Sequence, residues 1–126
     1  MFLIHLTRIA LFLSLLFGLG GRAFAEPLVT PKVISATSGQ NDYATALLLE
    51  YRELDATRSY QVKRSIVIGG TPSGTWESVG VAGTPSSLPT KDANLQSGAQ
   101  YAYALFDAQG NKVSIWQSQV PDPQFV

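Results

Sequence analysis

Leu95-Gln96-Ser97-Gly98-Ala99-Gln100-Tyr101-Ala102-Tyr103-Ala104-Leu105-Phe106 is the stretch whose reading decides the fold. A turn signal at Ser97-Gly98 passes into strict alternation, which sets Tyr101, Tyr103 and Leu105 on one face of a strand and Ala102, Ala104 and Phe106 on the other. Outward from it, apolar residues recur at spacings nearer two than 3.6, and turn residues interrupt them roughly every eight to twelve positions. No stretch of about ten residues has the pattern of an amphipathic helix. Strands are expected at 32–37, 44–52, 60–66, 76–81, 90–93, 100–107 and 112–119. The breaks between them are rich in residues that cap turns or tolerate positive φ, as in 38–42 and 107–111, and 69–74 (GGTPSG) is expected to be a flexible surface loop. Seven short strands make an all-β chain, a sandwich or a small barrel.

The N-terminus has a different character. Residues 9–19 (IALFLSLLFGL) are uncharged and apolar, preceded by Arg8 and followed by Gly20, Gly21, Arg22 and Ala23-Phe24-Ala25. That is the layout of a cleaved signal peptide over 1–25, with Glu26 as the first mature residue. The rival is an uncleaved anchor, since 1–21 is about long enough to cross a bilayer, and membrane contact is expected only through such a retained leader. The chain is expected to be exported, to a periplasm or to the extracellular space. With no cysteine at the cleavage point, no lipid can be attached there.

Removing 1–25 from the 126 residues leaves 101, enough for one domain with a real core and no disulfide or metal staple. That portion holds seven Lys/Arg against nine Asp/Glu, a balance that argues against a nucleic-acid partner. It has no histidine and no cysteine, so a Ser-His-Asp triad, a thiol nucleophile and the usual zinc or copper sites are excluded. No cofactor is expected.

Leu95, Gly98 and Tyr101, spaced by three, resemble a tyrosine corner, in which the ring packs inward and the phenol bonds backbone a few residues upstream. Together with 60–65 (YQVKRS), which opens on Tyr60, 76–80 (WESVG), 90–92 (TKD) and the Gly110 turn, in that order, the segment 31–121 resembles a fibronectin type III domain of the bacterial kind. The resemblance implies a seven-stranded antiparallel Greek-key β-sandwich, with 26–30 as an N-terminal extension and 122–126 as a tail. Two departures stand out. Tyr51 occupies the second-strand place where a tryptophan is usual, and the last hairpin is about two residues short, with Asp107 where a small or apolar residue is commoner.

Such modules carry function on a grafted surface. If Val113 and Ile115 face inward on the last strand, Trp116 faces outward beside Ser114 and Ser118 and shares an open surface with Phe106. Phe106, Trp116 and Lys63 are therefore the candidate binding residues, and a one-residue bulge would instead turn Trp116 into the core. The expected partner is another protein, met by a small accessory or envelope-assembly subunit, with strand addition along an open edge as a second mode. The alternative is a carbohydrate-binding module in which Trp116 or Trp76 stacks on sugars, although the resemblance implies that Trp76 packs across the sheet edge. Arg58, Lys63 and Arg64 form a basic cluster, read as a solvated face paired with Glu50, Glu53 and Asp55. Those carboxylates and Glu77 have no fixed geometry for glycoside hydrolysis, and Asp42, Asp55, Asp92 and Asp107 lack the spacing of a calcium loop. A non-catalytic binding module is the reading that remains.

Overall fold

The computed structural model describes residues 26–36, 45–121 and 124–125. The leader assignment over 1–25, Asp42 and most of the 122–126 tail lie outside the described residues. Among the described residues the regular structure is almost entirely strand, in antiparallel sheets apart from one two-residue parallel pair, with a short 3-10 turn at Pro85–Ser87.

The first sheet has β3 (Leu47–Arg52) at its centre, between β1 (Leu28–Val33) and β7 (Lys91–Asp92). Alternation sends Leu47 and Leu49 into the core and leaves Leu48, Glu50 and Arg52 exposed. The pairing with β1 runs from Leu28 opposite Arg52 to Val33 opposite Leu47. The sheet therefore starts inside the segment expected to be an extension, because Val29 alternates with half-buried neighbours and is fully buried.

In the second sheet β4 (Tyr60–Ile68) pairs with β8 (Tyr101–Phe106) on one side, and β8 pairs in turn with β9 (Gln117–Gln119). On its other side β4 pairs with β6 (Glu77–Gly83) and, at its far end, with β5 (Thr71–Pro72). The two residues of β5 occupy the expected loop 69–74. Gly69 and Gly70, at φ +65° and +89°, make the tight turn that lets the chain pair back on β4. The short strand β2 (Ser35–Ala36) pairs in parallel with β10 (Gln124–Phe125).

The sheets share one core. Val29, Leu47 and Leu49 from the first meet Tyr60, Val62, Val79, Tyr103 and Leu105 from the second, and Leu88 and Leu95 from the connections complete it. An ion pair spans the interior as well. Arg64 of β4 donates from Nη1 to both oxygens of Asp92 on β7, at 2.7 and 2.8 Å, and the Tyr103 phenol of β8 donates to Asp92 Oδ2 at 2.7 Å. Arg64 thus leaves the expected basic surface cluster, and Asp92 is an interior acceptor. Burial lowers the proton affinity of the guanidinium, but the Asp92 hydrogen bond and charge outweigh it, and the net shift is upward.

Tyrosines brace both crossings from the first sheet to the second. The Tyr101 hydroxyl accepts the Gln96 N–H at 2.8 Å, five residues upstream. Leu95 beside it is buried, and Gly98 takes φ +85°, a conformation that disfavours a side chain. Tyr60 repeats the device before β4, accepting the Asp55 N–H at 2.9 Å, again five residues upstream. Tyr51 packs half-buried against the core and donates its hydroxyl to the Pro89 carbonyl.

The last strand departs most from expectation. Lys112 stands opposite Phe106 and Gln117 opposite Tyr103, so three steps along β8 face five along the returning chain, and two extra residues bulge out. Ser114 makes this tolerable: its buried hydroxyl accepts the Leu105 N–H at 2.8 Å and donates to the Ile115 carbonyl at 2.9 Å. Val113 still packs against the core, but Ile115, expected inward, is 60% exposed.

Candidate binding face

The face of the second sheet turned away from the core is built on the alternate residues of β8 and β4. Ala102, Ala104 and Phe106 lie opposite Ser65, Lys63 and Gln61 respectively. Two alanines on an outward face would ordinarily meet solvent, yet both are at 0% exposure and Phe106 is at 7%. Over Phe106 the cover is a roof of longer side chains from the same face.

That roof is a run of alternating cations and rings. The Lys63 ammonium lies 4.8 Å from the Phe106 ring centroid, where the π-cloud attracts it. Trp76, just before β6, meets the Phe106 ring edge to face, with centroids 5.6 Å apart and planes at 62°. Lys112 closes the run, its ammonium 5.6 Å from the Trp76 centroid. The tight turn brings Lys112 there. The Asp107 N–H bonds the Asn111 carbonyl at 2.8 Å, and the Asp107 carboxylate accepts the Gln109 and Asn111 N–H groups, which sets Lys112 across from Phe106.

Of the candidate residues, Lys63 and Phe106 are brought together and Trp116 is not. The extra residues of the last strand carry Trp116 away from Phe106, whose ring partner is Trp76. Trp116 is half-buried, neither in the core nor on an open platform, and lines a shallow depression of about 490 Å³ with Glu26, Lys112 and Ile115. Lys112 escaped sequence reasoning because it reads as an ordinary strand residue. Its signal was its place just after the Asp107–Asn111 turn, which obliges it to face Phe106.

Among the described residues the ion pairs are Lys32 with Glu50, Arg58 with Asp55 and Arg64 with Asp92. Lys63 and Lys112 have rings, and not carboxylates, beneath them. Glu77, next in sequence to Trp76, stands opposite Arg64 and acts on that guanidinium.

A larger cleft of about 870 Å³ opens at one end of the molecule, between Pro27, Glu53, Asp55, Arg58, Tyr60 and Asp107. Its two aspartates are committed to their own turns. The Thr57 hydroxyl and N–H hold the Asp55 carboxyl below the usual carboxylate range, and the Asn111 N–H does the same first of all for Asp107. No group of three or more metal-ligating side chains comes together among the described residues.

The alternation, the braced crossings and the lysine–aromatic roof are what this chain offers for comparison, and no family model, curated protein or solved structure matches it.

Proposed function

We propose that the chain is an exported, non-catalytic β-sandwich of the fibronectin type III kind that binds a protein partner through the outward face of its larger sheet. The sheet orders support this reading. The strand that overlaps the start of the first expected one, with the second and the fifth, lies in one sheet and the third, fourth, sixth and seventh lie in the other, the division an immunoglobulin-like Greek key makes between its layers. The apolar run before Ala25 supports export, and the absence of histidine and cysteine after it leaves little catalytic machinery.

The observation that carries the reading is the gathering of Lys63, Phe106, Trp76 and Lys112 on one face. Aromatic and cationic side chains fixed together on a sheet are typical of protein interfaces, where rings supply contact area and cations supply orientation. The carbohydrate-binding alternative draws on Trp116 beside its shallow depression. A photo-crosslinking residue placed at position 63, and another at Leu48 on the other sheet, tests the choice in the native compartment. A protease-sensitive adduct from position 63 alone is the expected result. Adducts only from position 48, or protease-resistant glycan adducts, would reject it.

A further inference from the structure

We infer that the partner meets this face with an acidic segment, its carboxylates seated on the Lys63 and Lys112 ammonium groups. The inference rests on the protein-binding reading and goes further by naming the chemistry of the partner's contact.

Three observations lead to it. Residues 26–126 hold seven Lys/Arg, and three of these are matched by carboxylates within the chain. Lys63 and Lys112, 4.8 and 5.6 Å from their ring centroids, are held on one face with no ion pair among the described residues. Among the described residues Glu26 lines the depression beside Lys112 without reaching ion-pair distance, and no carboxylate pairs with Lys63. The neighbours of Lys63 across the strands are Ser78 and Ala104, followed by Ser65 and Ala102, and the alternation of β6 sends Glu77 toward Arg64 instead. A ring fixes the position of an ammonium group without neutralising it, so both cations are preorganised and have no ion pair among the described residues. Finally, Phe106 is 7% exposed and Lys112 lies over one face of the Trp76 ring, which narrows the room for stacking on a sugar to what is left of a single half-buried ring. Charge complementarity with so little stacking surface favours an acidic protein segment over a glycan.

The Trp76 indole reports directly on the contact, because one of the two ammonium groups lies over it. In a Trp116→Phe background Trp76 is the only tryptophan, and the probe is poly-L-glutamate at low ionic strength. A saturable change in emission is expected. It should weaken with added salt and lose about tenfold or more in affinity in Lys63→Gln/Lys112→Gln. Arg52→Gln/Lys91→Gln removes two cations from the other sheet that have no ion pair among the described residues, and it should retain wild-type affinity. Far-ultraviolet circular dichroism and urea midpoints establish that each variant is folded.

Equal losses in both double variants would show unspecific charge attraction and overturn the inference. So would an absent response, or a response to alginate tighter than that to poly-L-glutamate, which would point to an anionic glycan. Failure here is separable from failure of the parent reading. If the position-63 crosslink to a protein persists in Lys112→Gln while poly-L-glutamate leaves the emission unchanged, the acidic segment is wrong and the protein-binding face stands.

Discussion

Replacing Asp92 by alanine removes, in one step, the acceptor for a half-buried guanidinium and for a phenol whose residue is fully buried. The Tyr103 hydroxyl has nowhere else to donate within the core, and an unmet buried donor costs about 1–3 kcal/mol. Arg64 adds the cost of a charge without its partner, and breaking a buried pair in this way typically totals about 3–5 kcal/mol. With 24% of its side chain exposed, Arg64 can recover some hydration, which places the expected loss near the lower end, about 3 kcal/mol. Against a stability of about 5–15 kcal/mol for a domain of this size, that is a large fraction. Urea unfolding followed by tryptophan emission is the assay. With a slope of about 1–3 kcal/mol per molar, the midpoint should fall by at least about 1 M. Asp92→Asn keeps an oxygen for Tyr103 and loses only the charge, so its midpoint should lie between the other two. A midpoint for Asp92→Ala within roughly 0.3 M of wild type would refute the interior ion pair as a stabilising contact.

The two tyrosine braces give a matched pair: Tyr101→Phe and Tyr60→Phe should each cost about 0.5–1.5 kcal/mol in urea unfolding, and unchanged midpoints would deny the hydroxyls any bracing role. At alkaline pH the direction is fixed by Tyr51 and Tyr103, both pushed well above the ordinary phenol range by burial first, with the Asp92 carboxylate adding to it. A group whose pKa is higher folded than unfolded contributes fully below its unfolded value, so stability should hold to about pH 10 and decline above it. Stability measured from pH 8 to 12 should fall less steeply in Tyr51→Phe and in Tyr103→Phe than in wild type. Gly80→Ala and Gly98→Ala both force an alanine into left-handed backbone, at φ +68° and +85°. At Gly80 the new Cβ would also lie 3.1 Å from Pro89 Cγ, whereas at Gly98 it meets nothing within 4 Å, so the first should be the more destabilising of the two in thermal unfolding.

What the sequence displays is whatever depends on neighbours two residues away. The alternation in Tyr101–Phe106 and in Leu47–Arg52 could be read directly, because a strand has only two faces and a buried core selects one. The Leu95, Gly98 and Tyr101 spacing was legible for the same reason: both ends of its hydrogen bond lie within one turn of chain. Arg64 was not legible. Its partner is 28 residues away, and only the stacking of the two sheets shows that Asp92 lies within reach. The binding face divides along the same line. Lys63 and Phe106 sit on adjacent strands and follow from register, but Trp76 and Lys112 join them through a hairpin and an edge. The displacement of Trp116 depends on a serine hydroxyl that replaces a backbone partner, a substitution no periodicity reports.

The margins of the two sheets have a consequence for how this chain behaves among copies of itself. Among the described residues of the two larger sheets, with β1-β3-β7 in one and β4 in the other flanked by β8-β9 on one side and by β6 and β5 on the other, the outermost strands are β1, β7, β6, β9 and the two-residue β5. Pro31 in β1 has no N–H to offer, β7 is two residues long and β9 three, and in β6 the register breaks around Gly80, which holds a left-handed turn of backbone. None presents a long, flat row of donors and acceptors onto which a second molecule could zip. Open-ended edge pairing is the first step toward cross-β aggregates, and these interrupted margins withhold the template for it.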